Sequence, residues 1–248
     1  MEKKYWERIA TSYETEIFDV LQNDTSKKIL KAIRSFASKE KNIIDIGCAV
    51  GKWIPVLAPN FKEVHAIDIS SKNLKIAAAK YPHFKNVKYD CIDMSAKTIK
   101  YKQFDSAICI NAILSSSLKK RDLFFSHINK LIKKGGDLIL VIPSLESKLL
   151  SHIIAQKWNV DDIKNEKSPN GKLAISQMEF MKNGVTDIDQ VPTKHYLKEE
   201  LELILELSGF VVEKIEKINY TWDTEFHQAP AWLKNPQPWD WMVKAKKG

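Results

Sequence analysis

The chain has 248 residues, of which 44% are hydrophobic and 28% are charged, and this composition excludes a chain that is disordered throughout. Its three cysteines, Cys48, Cys91 and Cys109, are odd in number and widely spaced, so the sequence predicts a reducing, cytoplasmic setting rather than a disulfide framework. The first residues lack the apolar core of a signal peptide, and no stretch approaches the roughly 18 apolar residues of a membrane span, so no membrane contact is expected.

A net charge of +8 suggests a nucleic-acid partner, but the placement of the positive charge argues against one. The excess lies in the middle of the chain, on stretches such as 119–121 and 130–134 that are predicted to be solvated faces of helices. Only three of the 39 cationic residues are Arg, the side chain best suited to phosphate and guanine contacts. Nucleic acid is therefore an alternative partner and not the expected one.

Apolar periodicity predicts helices and strands that alternate from about residue 40 onward, the pattern of an α/β sheet covered on both faces. Two leading helices are predicted over 5–21 and 29–37, the second after a start signal at 24–26. Five buried parallel strands are predicted at 42–46, 63–69, 87–91, 104–110 and 137–142. The clearest intervening helix is predicted to end at the cap Gly135-Gly136.

The regular alternation breaks after Pro143. One helix is predicted around 149–154, followed by the polar stretch 161–172 and a short apolar piece at 178–181. Because this segment is longer than an ordinary connection, it is either a disordered insertion or a functional cap. A helix at 197–208 and strands at 210–222 and 239–245 complete the predicted elements.

Small residues follow the first predicted strand, in the sequence Asp45-Ile46-Gly47-Cys48-Ala49-Val50-Gly51. A ligand can approach a backbone closely only where side chains are absent, and a following helix N-terminus supplies N–H donors. The second predicted strand ends in Asp68 and Ile69, and the carboxyl ends of neighbouring parallel strands face one crevice. Asp68 there suits the two hydroxyls of a ribose, or else it caps the next helix.

Together these residues resemble the class I S-adenosylmethionine-dependent methyltransferases of the small-molecule type. Further segments resemble that family: YWERIATSY, which ends at Tyr13, its leading helix; Asp93-Met94 the acid that meets the adenine; Asn111 the end of strand four; and LIKKGGDL at 131–138 the entry to strand five. Two departures exist, since Ala49 stands where the family has its middle Gly and Val50 where relatives often have a hydroxyl residue.

The resemblance implies a Rossmann-like, doubly wound α/β fold with a seven-stranded, mostly parallel sheet, an antiparallel last strand, helices on both faces and a cap insertion. Residues 1–40 would lie over the cofactor site, 41–144 and 195–248 would form the core, and 145–194 the cap. The implied cofactor is S-adenosyl-L-methionine, with S-adenosyl-L-homocysteine as its product and no metal. The implied cofactor-binding residues are Tyr13, Asp45, Gly47, Cys48, Ala49, Gly51, Asp68, Ile69, Asp93, Met94 and Asn111.

The acceptor is expected to be a small molecule that is methylated by metal-independent, in-line transfer. The Asn/Asp-Pro-Pro-Tyr tetrapeptide of base N-methylation is absent, and no acidic cluster suggests bound magnesium. His195, Tyr196 and His227 are the candidate general bases, although each also suits a helix start or the surface. The aromatics Trp222, Phe226 and Trp232 are expected either to form an apolar wall for the acceptor or to pack in the core.

Three other functional classes stay open at this point. A nicotinamide-dependent oxidoreductase is disfavoured because no Gly lies between Gly47 and Gly51, so the GxGxxG pattern is absent. An RNA or protein methyltransferase is the second alternative; one acting on RNA would need a continuous basic surface around the crevice, whereas the segments predicted to frame it are neutral or acidic. A non-catalytic protein that binds the cofactor and regulates a partner is the third alternative.

Overall fold

The computed structural model describes residues 3–158, 184–188 and 191–248. Its helices are α1 (Lys3–Ile9), α2 (Tyr13–Glu16), α3 (Val20–Asn23), α4 (Lys28–Arg34), α5 (Ile54–Leu57), α6 (Ser71–Lys80), α7 (Leu118–Leu131), α8 (Leu145–Trp158) and α9 (Lys198–Leu207). Its strands are β1 (Asn42–Ile46), β2 (Glu63–Asp68), β3 (Val87–Cys91), β4 (Phe104–Ile110), β5 (Ile132–Pro143), β6 (Val185–Ile188), β7 (Val191–Lys194), β8 (Phe210–Asn219) and β9 (Trp239–Lys247). Among these described residues, no helix combines the length and apolar character needed to cross a bilayer.

Seven strands form one sheet in the order β3-β2-β1-β4-β5-β9-β8. The first five are parallel to one another, and β9 runs antiparallel to both β5 and β8. Alternate residues of β1 point to opposite faces, so Ile43 packs with α4 and α5, whereas Ile44 packs with α7 and α9. The predicted fold class, a doubly wound and mostly parallel sheet with an antiparallel last strand, is confirmed.

The leading segment differs from the prediction, because the helix expected over 5–21 is divided into α1, α2 and α3. The Asp19 carboxylate accepts a hydrogen bond from the backbone N–H of Gln22 and so starts a new helix in the middle of the apolar repeat. The predicted start signal at 24–26 is confirmed, since the Asp24 carboxylate accepts from the N–H of Ile29 at 2.9 Å, in the first turn of α4.

Gly135-Gly136 was predicted to cap a helix, and this is wrong. α7 ends at Leu131, and Ile132 already pairs with Phe104 of β4. Gly135 has φ +74°, and a Cβ on Gly136 would lie 2.8 Å from the carbonyl oxygen of Asp105. The two glycines therefore bend β5 close to β4 instead of ending a helix.

The described part of the predicted cap consists of α8 and the antiparallel pair β6–β7. The pair is fixed to the core because the N–H of Lys194 donates to the carbonyl of Leu114 and Thr193 forms a β-bridge with Ser115. The polar stretch 161–172 and the apolar piece 178–181 lie outside the described residues. The division into core and cap remains a prediction.

Candidate functional site

Two connected cavities lie at the carboxyl ends of the parallel strands. A narrow crevice of about 90 Å³ lies beside the ends of β2 and β3, and a wide cavity of about 660 Å³ lies beyond the ends of β1, β4 and β5. The residues that line both are Trp6, Tyr13, Gly47, Ala49, Ile110, Asn111 and Leu114. A ligand that spans this junction would occupy the place where α/β folds of this class bind their cofactors.

Hydrogen bonds to the end of β2 hold the turn after β1 in place. The N–H groups of Gly47 and Cys48 both donate to the carbonyl of Ile67 at 2.9 Å, and the N–H of Ala49 donates to the Asp68 carboxylate at 3.0 Å. Gly47 has φ +75°, and a Cβ there would lie 2.4 Å from Cβ of Ala112, so this glycine permits close packing of two loops. Ala49 also has a positive φ of 47°. Cys48 lines the wide cavity.

Gly51 lies apart from both cavities. Its φ is +79°, and an added Cβ would lie 2.6 Å from the Ile54 side chain and 3.1 Å from that of Ala77 on α6. Backbone conformation and packing therefore both require a glycine at this position. The predicted contact between Gly51 and the cofactor remains a prediction.

Asp68 lines the narrow crevice and is buried. One oxygen accepts from Ala49, the other from the N–H of Ser70 at 2.8 Å, and burial raises the pKa of the carboxyl despite these hydrogen bonds. Nδ2 of Asn73 also donates to Oδ1 of Asp68 at 3.5 Å, so Oδ2 keeps a lone pair for one hydroxyl group, and a second hydroxyl would replace this long contact. The cap of α6 is Ser70, whose hydroxyl accepts from the N–H of Asn73 at 3.2 Å.

The far end of the narrow crevice combines apolar side chains with an acid. Ile69, Met94 and Phe124 line it together with Asp93, an exposed carboxylate that accepts from the N–H and hydroxyl of Ser95 at 2.8 and 2.7 Å. This arrangement suits a flat heterocycle with an amino group.

Arg121 was predicted to lie on a solvated helix face, and that prediction is wrong. Arg121 is buried, lines the narrow crevice, and donates from Nη1 to the carbonyls of Ser115 and Ser116 at 2.8 and 2.9 Å. It thereby holds the loop that follows β4. Its position in a run of cations, Lys119-Lys120-Arg121, hid this role, although the apolar spacing of α7 assigns it to the inner side of the helix.

Two polar atoms on the wall of the wide cavity are buried and have no hydrogen-bond partner among the described residues, Oδ2 of Asp45 and, where the two cavities meet, Oδ1 of Asn111. Asp45 is 2% exposed, and burial together with the nearby Asp68 carboxylate raises its pKa to about 8. Asn111 has φ 49° and donates from Nδ2 to Oδ2 of Asp240 at 3.2 Å, which directs its oxygen elsewhere. A ligand with a positively charged hydrogen-bond donor would satisfy both atoms.

Five separate parts of the chain line the wide cavity beyond the turns after β1 and β4. They are the leading segment, the start of α8 with Ser147, the β6–β7 pair with Thr193, the segment after β8 with Tyr220, and the start of β9 with Trp239 and Asp240. Oδ2 of Asp240 also accepts from the hydroxyl of Tyr220 at 2.9 Å. Sequence reasoning missed Asp240 and Tyr220 because each lies at a strand end without a motif.

Of the three candidate bases, the structure brings only His195 to a cavity. Its ring is 4% exposed and lines the wide cavity, and Nδ1 lies 3.2 Å from the Thr193 carbonyl, which can only accept. The neutral ring therefore carries its lone pair on Nε2. Tyr196 is fully buried and donates to the Ile113 carbonyl, and burial raises its pKa above the usual value. His227 is exposed and lines neither cavity.

The aromatics predicted as an acceptor wall lie elsewhere. Trp222 and Phe226 are buried and stack at 5.3 Å between ring centroids, in a separate cluster with Ile154 and Leu233. Trp232 is 57% exposed and contacts Trp158 instead. Core packing is thus the alternative that holds for Trp222 and Phe226. In the described chain, no group of three His, Cys, Asp or Glu side chains has the geometry of a metal site.

Part of the chain that forms this site is similar to known methyltransferases. A family model described as "Methyltransferase domain" matches residues 43–136. The chain is 33% identical over 127 residues to the ubiquinone biosynthesis O-methyltransferase of Pelagibacter ubique (strain HTCC1062), a match that covers 50% of each chain. The chain thus spans about half the length of the curated relatives it matches.

Two solved structures share the fold over almost the whole chain. One is the N-methyltransferase NodS from Bradyrhizobium japonicum WM9 in complex with S-adenosyl-L-homocysteine, with a TM-score of 0.64, 11% identity and coverage of 99% and 97% of the two chains. The other is an S-adenosylmethionine-dependent methyltransferase from Anabaena variabilis ATCC 29413, with a TM-score of 0.66, 17% identity and coverage of 99% and 95%. The family model thus covers the turn after β1 and the strands that follow it, and the whole sheet carries the fold of S-adenosylmethionine-dependent methyltransferases.

Proposed function

We propose that this protein transfers a methyl group from S-adenosyl-L-methionine to a small-molecule acceptor, by in-line transfer without a metal. The observation that supports this most is the wide cavity, which meets the narrow crevice at Asn111. Its volume of about 660 Å³ lies within the range of roughly 300–1,000 Å³ that is usual for small-molecule sites.

The residues at the junction fit the cofactor. Asp68 would hold the ribose hydroxyls and the Asp93–Met94 segment the adenine, while the orphaned oxygens of Asp45 and Asn111 would accept from the ammonium group. When bound, the cofactor supplies a methyl group on a positively charged sulfur. Calorimetry with S-adenosyl-L-homocysteine tests this fit, and micromolar binding of a nicotinamide dinucleotide with none of S-adenosyl-L-homocysteine would contradict it.

The chain itself would position the acceptor and remove its proton. Enclosure by the leading segment, α8, the β6–β7 pair and β9 excludes water and orients the acceptor, an effect that is worth several kcal/mol of the roughly 7–11 kcal/mol available from positioning. His195 is the proposed base, since it is the candidate base that lines the wide cavity. We expect His195→Gln to lower kcat by about 10²–10⁴-fold and to leave S-adenosyl-L-homocysteine affinity unchanged.

Transfer of a deuterated methyl group tests the acceptor class. The protein would be incubated with methyl-deuterated cofactor and EDTA, together with separated small-molecule, RNA and protein fractions of a cell extract. Label in the small-molecule fraction alone supports the proposal. Label confined to RNA or protein would contradict it, and cofactor binding without label in any fraction would favour a regulatory protein that binds the cofactor without catalysis.

A further inference from the structure

Two buried carboxyl groups line the wide cavity, those of Asp45 and Asp240, which are 2% and 9% exposed. Of the cations that line the cavity, Lys52 is 2.8 Å from the Asp19 carboxylate and is neutralised by it. The others are Arg8, which is exposed, and Lys148, which is half-buried. Because burial and the Asp68 carboxylate raise the pKa of Asp45 to about 8, Asp45 keeps its proton at neutral pH, and the negative charge in the least solvated part of the cavity wall is that of Asp240.

Asp240 is held in place as an acceptor of hydrogen bonds. The Tyr220 hydroxyl and the Asn111 amide both donate to its Oδ2, at 2.9 and 3.2 Å. Two donors on one carboxylate oxygen favour the ionised form. Burial and the Asp240 charge raise the pKa of Tyr220 well above its usual value, so that hydroxyl keeps its proton. Asp240 is thus a fixed negative charge next to Asn111, where the two cavities meet.

Aromatic side chains line the cavity near this charge. The Tyr220 hydroxyl donates to Asp240, and Phe18 packs edge-to-face on Tyr220 with ring centroids 4.7 Å apart. Trp239 also lines the cavity, but Nζ of Lys217 already lies 3.5 Å from its ring centroid. Tyr13 and Trp6 line the same cavity from the leading segment. A carboxylate within an aromatic enclosure is the combination that binds organic cations, through charge and through the π faces.

From this arrangement we propose that the methyl acceptor is an amine, bound as a cation between Asp240 and the aromatic wall. This inference rests on the proposed function. The ammonium form gives up one proton to His195 before transfer, and the neutral nitrogen then forms the new bond to the methyl carbon, while the electron pair of the broken carbon–sulfur bond stays on sulfur. Positive charge thereby passes to the nitrogen, and Asp240 stabilises it. A phenolate or carboxylate acceptor would be repelled at the same place.

Three probes with one hydrocarbon skeleton test the inference: 3,3-dimethylbutylamine, 3,3-dimethylbutanol and 3,3-dimethylbutanoate. Calorimetry at pH 7.5 would measure the binding of each to protein saturated with S-adenosyl-L-homocysteine. We expect the amine to bind at least tenfold more tightly than the alcohol, and the carboxylate to bind most weakly. Asp240→Asn should reduce amine affinity at least tenfold while changing alcohol affinity less than threefold.

Glu206→Gln is the matched control, because it removes one negative charge from an exposed position on α9 and should leave all three affinities unchanged. Tyr220→Phe keeps the carboxylate and removes one of its donors, so it should weaken amine binding by less than Asp240→Asn does. It provides a second reading if Asp240→Asn lowers the melting temperature.

Equal affinities for the amine and the alcohol, tighter binding of the carboxylate, or no binding of any probe would each overturn the amine assignment. Failure of the proposed function itself is distinguishable, since it would appear one step earlier, as no binding of S-adenosyl-L-homocysteine. An amine preference that persists in Asp240→Asn would overturn the role of Asp240.

Discussion

The narrow crevice and the wide cavity are built in different ways. Most of the polar groups of the crevice come from turns that directly follow β1, β2 and β3, and Asp68 among them is fixed by hydrogen bonds from the N–H groups of Ala49 and Ser70. The wide cavity is assembled from segments far apart in the chain, joined by contacts such as Asn111 with Asp240 and Ser147 with the N–H of Trp239. The cofactor side is therefore preformed, whereas the acceptor side depends on how the outer elements pack.

Because the cofactor side is preformed, we expect a substitution in the turn after β1 to have the largest effect on stability and cofactor affinity. Gly47→Ala imposes a left-handed φ on a residue with a side chain and also a contact of 2.4 Å with Ala112. The φ costs roughly 1–2 kcal/mol and the overpacking about 1–3 kcal/mol more. We expect a lower melting temperature and the loss of most affinity for S-adenosyl-L-homocysteine.

Gly135→Ala is the matched control, because Gly135 has a nearly identical φ of +74° and no atom within 4 Å of an added Cβ. It should lower stability only by the cost of the left-handed φ, and it should leave cofactor affinity unchanged. If the two variants were destabilised equally, the packing of Gly47 against Ala112 would not be the reason for its glycine.

A substitution of Asp68, in the same crevice, should have a smaller effect on cofactor affinity. Asp68→Ala removes an acceptor of two ribose hydrogen bonds and should weaken S-adenosyl-L-homocysteine binding by about 1.5–3 kcal/mol, as measured by calorimetry. Because the N–H groups of Ala49 and Ser70 also lose their acceptor, the melting temperature should fall as well. Ser70→Ala controls for the cap of α6, and it should lower stability without this loss of affinity.

Asp45 gives the junction a pH dependence. Its pKa of about 8 exceeds the usual 3.8, so the folded protein holds a proton that the unfolded chain releases. Stability of the ligand-free protein should therefore fall as pH rises from about 4 to 8, by at most about 1.4 kcal/mol per unit. A cationic ligand group favours the ionised carboxylate, so affinity for S-adenosyl-L-homocysteine should rise over pH 6–8.

Calorimetry in two buffers of different ionisation enthalpy measures the proton released in that reaction. Asp45→Asn should flatten the pH dependence of both stability and affinity. A parent protein whose affinity is constant between pH 6 and 8 would show that no cationic group of the ligand lies near Asp45.

The same contrast explains how much could be predicted from the sequence. The sheet and the residues after β1, β2 and β3 follow from local patterns, since a strand and its turn are adjacent in the chain. Asp240 and Tyr220 could not be found in this way, because Asp240 accepts from Asn111, which lies 129 residues earlier in the chain, and Tyr220 acts by donating to Asp240. Arg121 was misassigned because a run of like charges resembles a solvated face until its neighbours are known.

The smallest expected effect is on the KM for the acceptor, and it compares Trp239 in the cavity wall with Trp232 at the surface. Trp239 lines the wide cavity, whereas Trp232 is exposed beside Trp158 and lines neither cavity. The same substitution in both, Trp239→Phe and Trp232→Phe, removes the same atoms from a cavity wall and from the surface. We expect Trp239→Phe to raise the KM for the acceptor about fivefold, equivalent to about 1 kcal/mol, because truncating a wall side chain leaves a gap against the bound molecule. Trp232→Phe should change this KM by less than about twofold, as surface substitutions usually fall within about 0.5 kcal/mol. A larger effect at Trp232 than at Trp239 would mean that the acceptor binds outside the wide cavity, at the surface near Trp232.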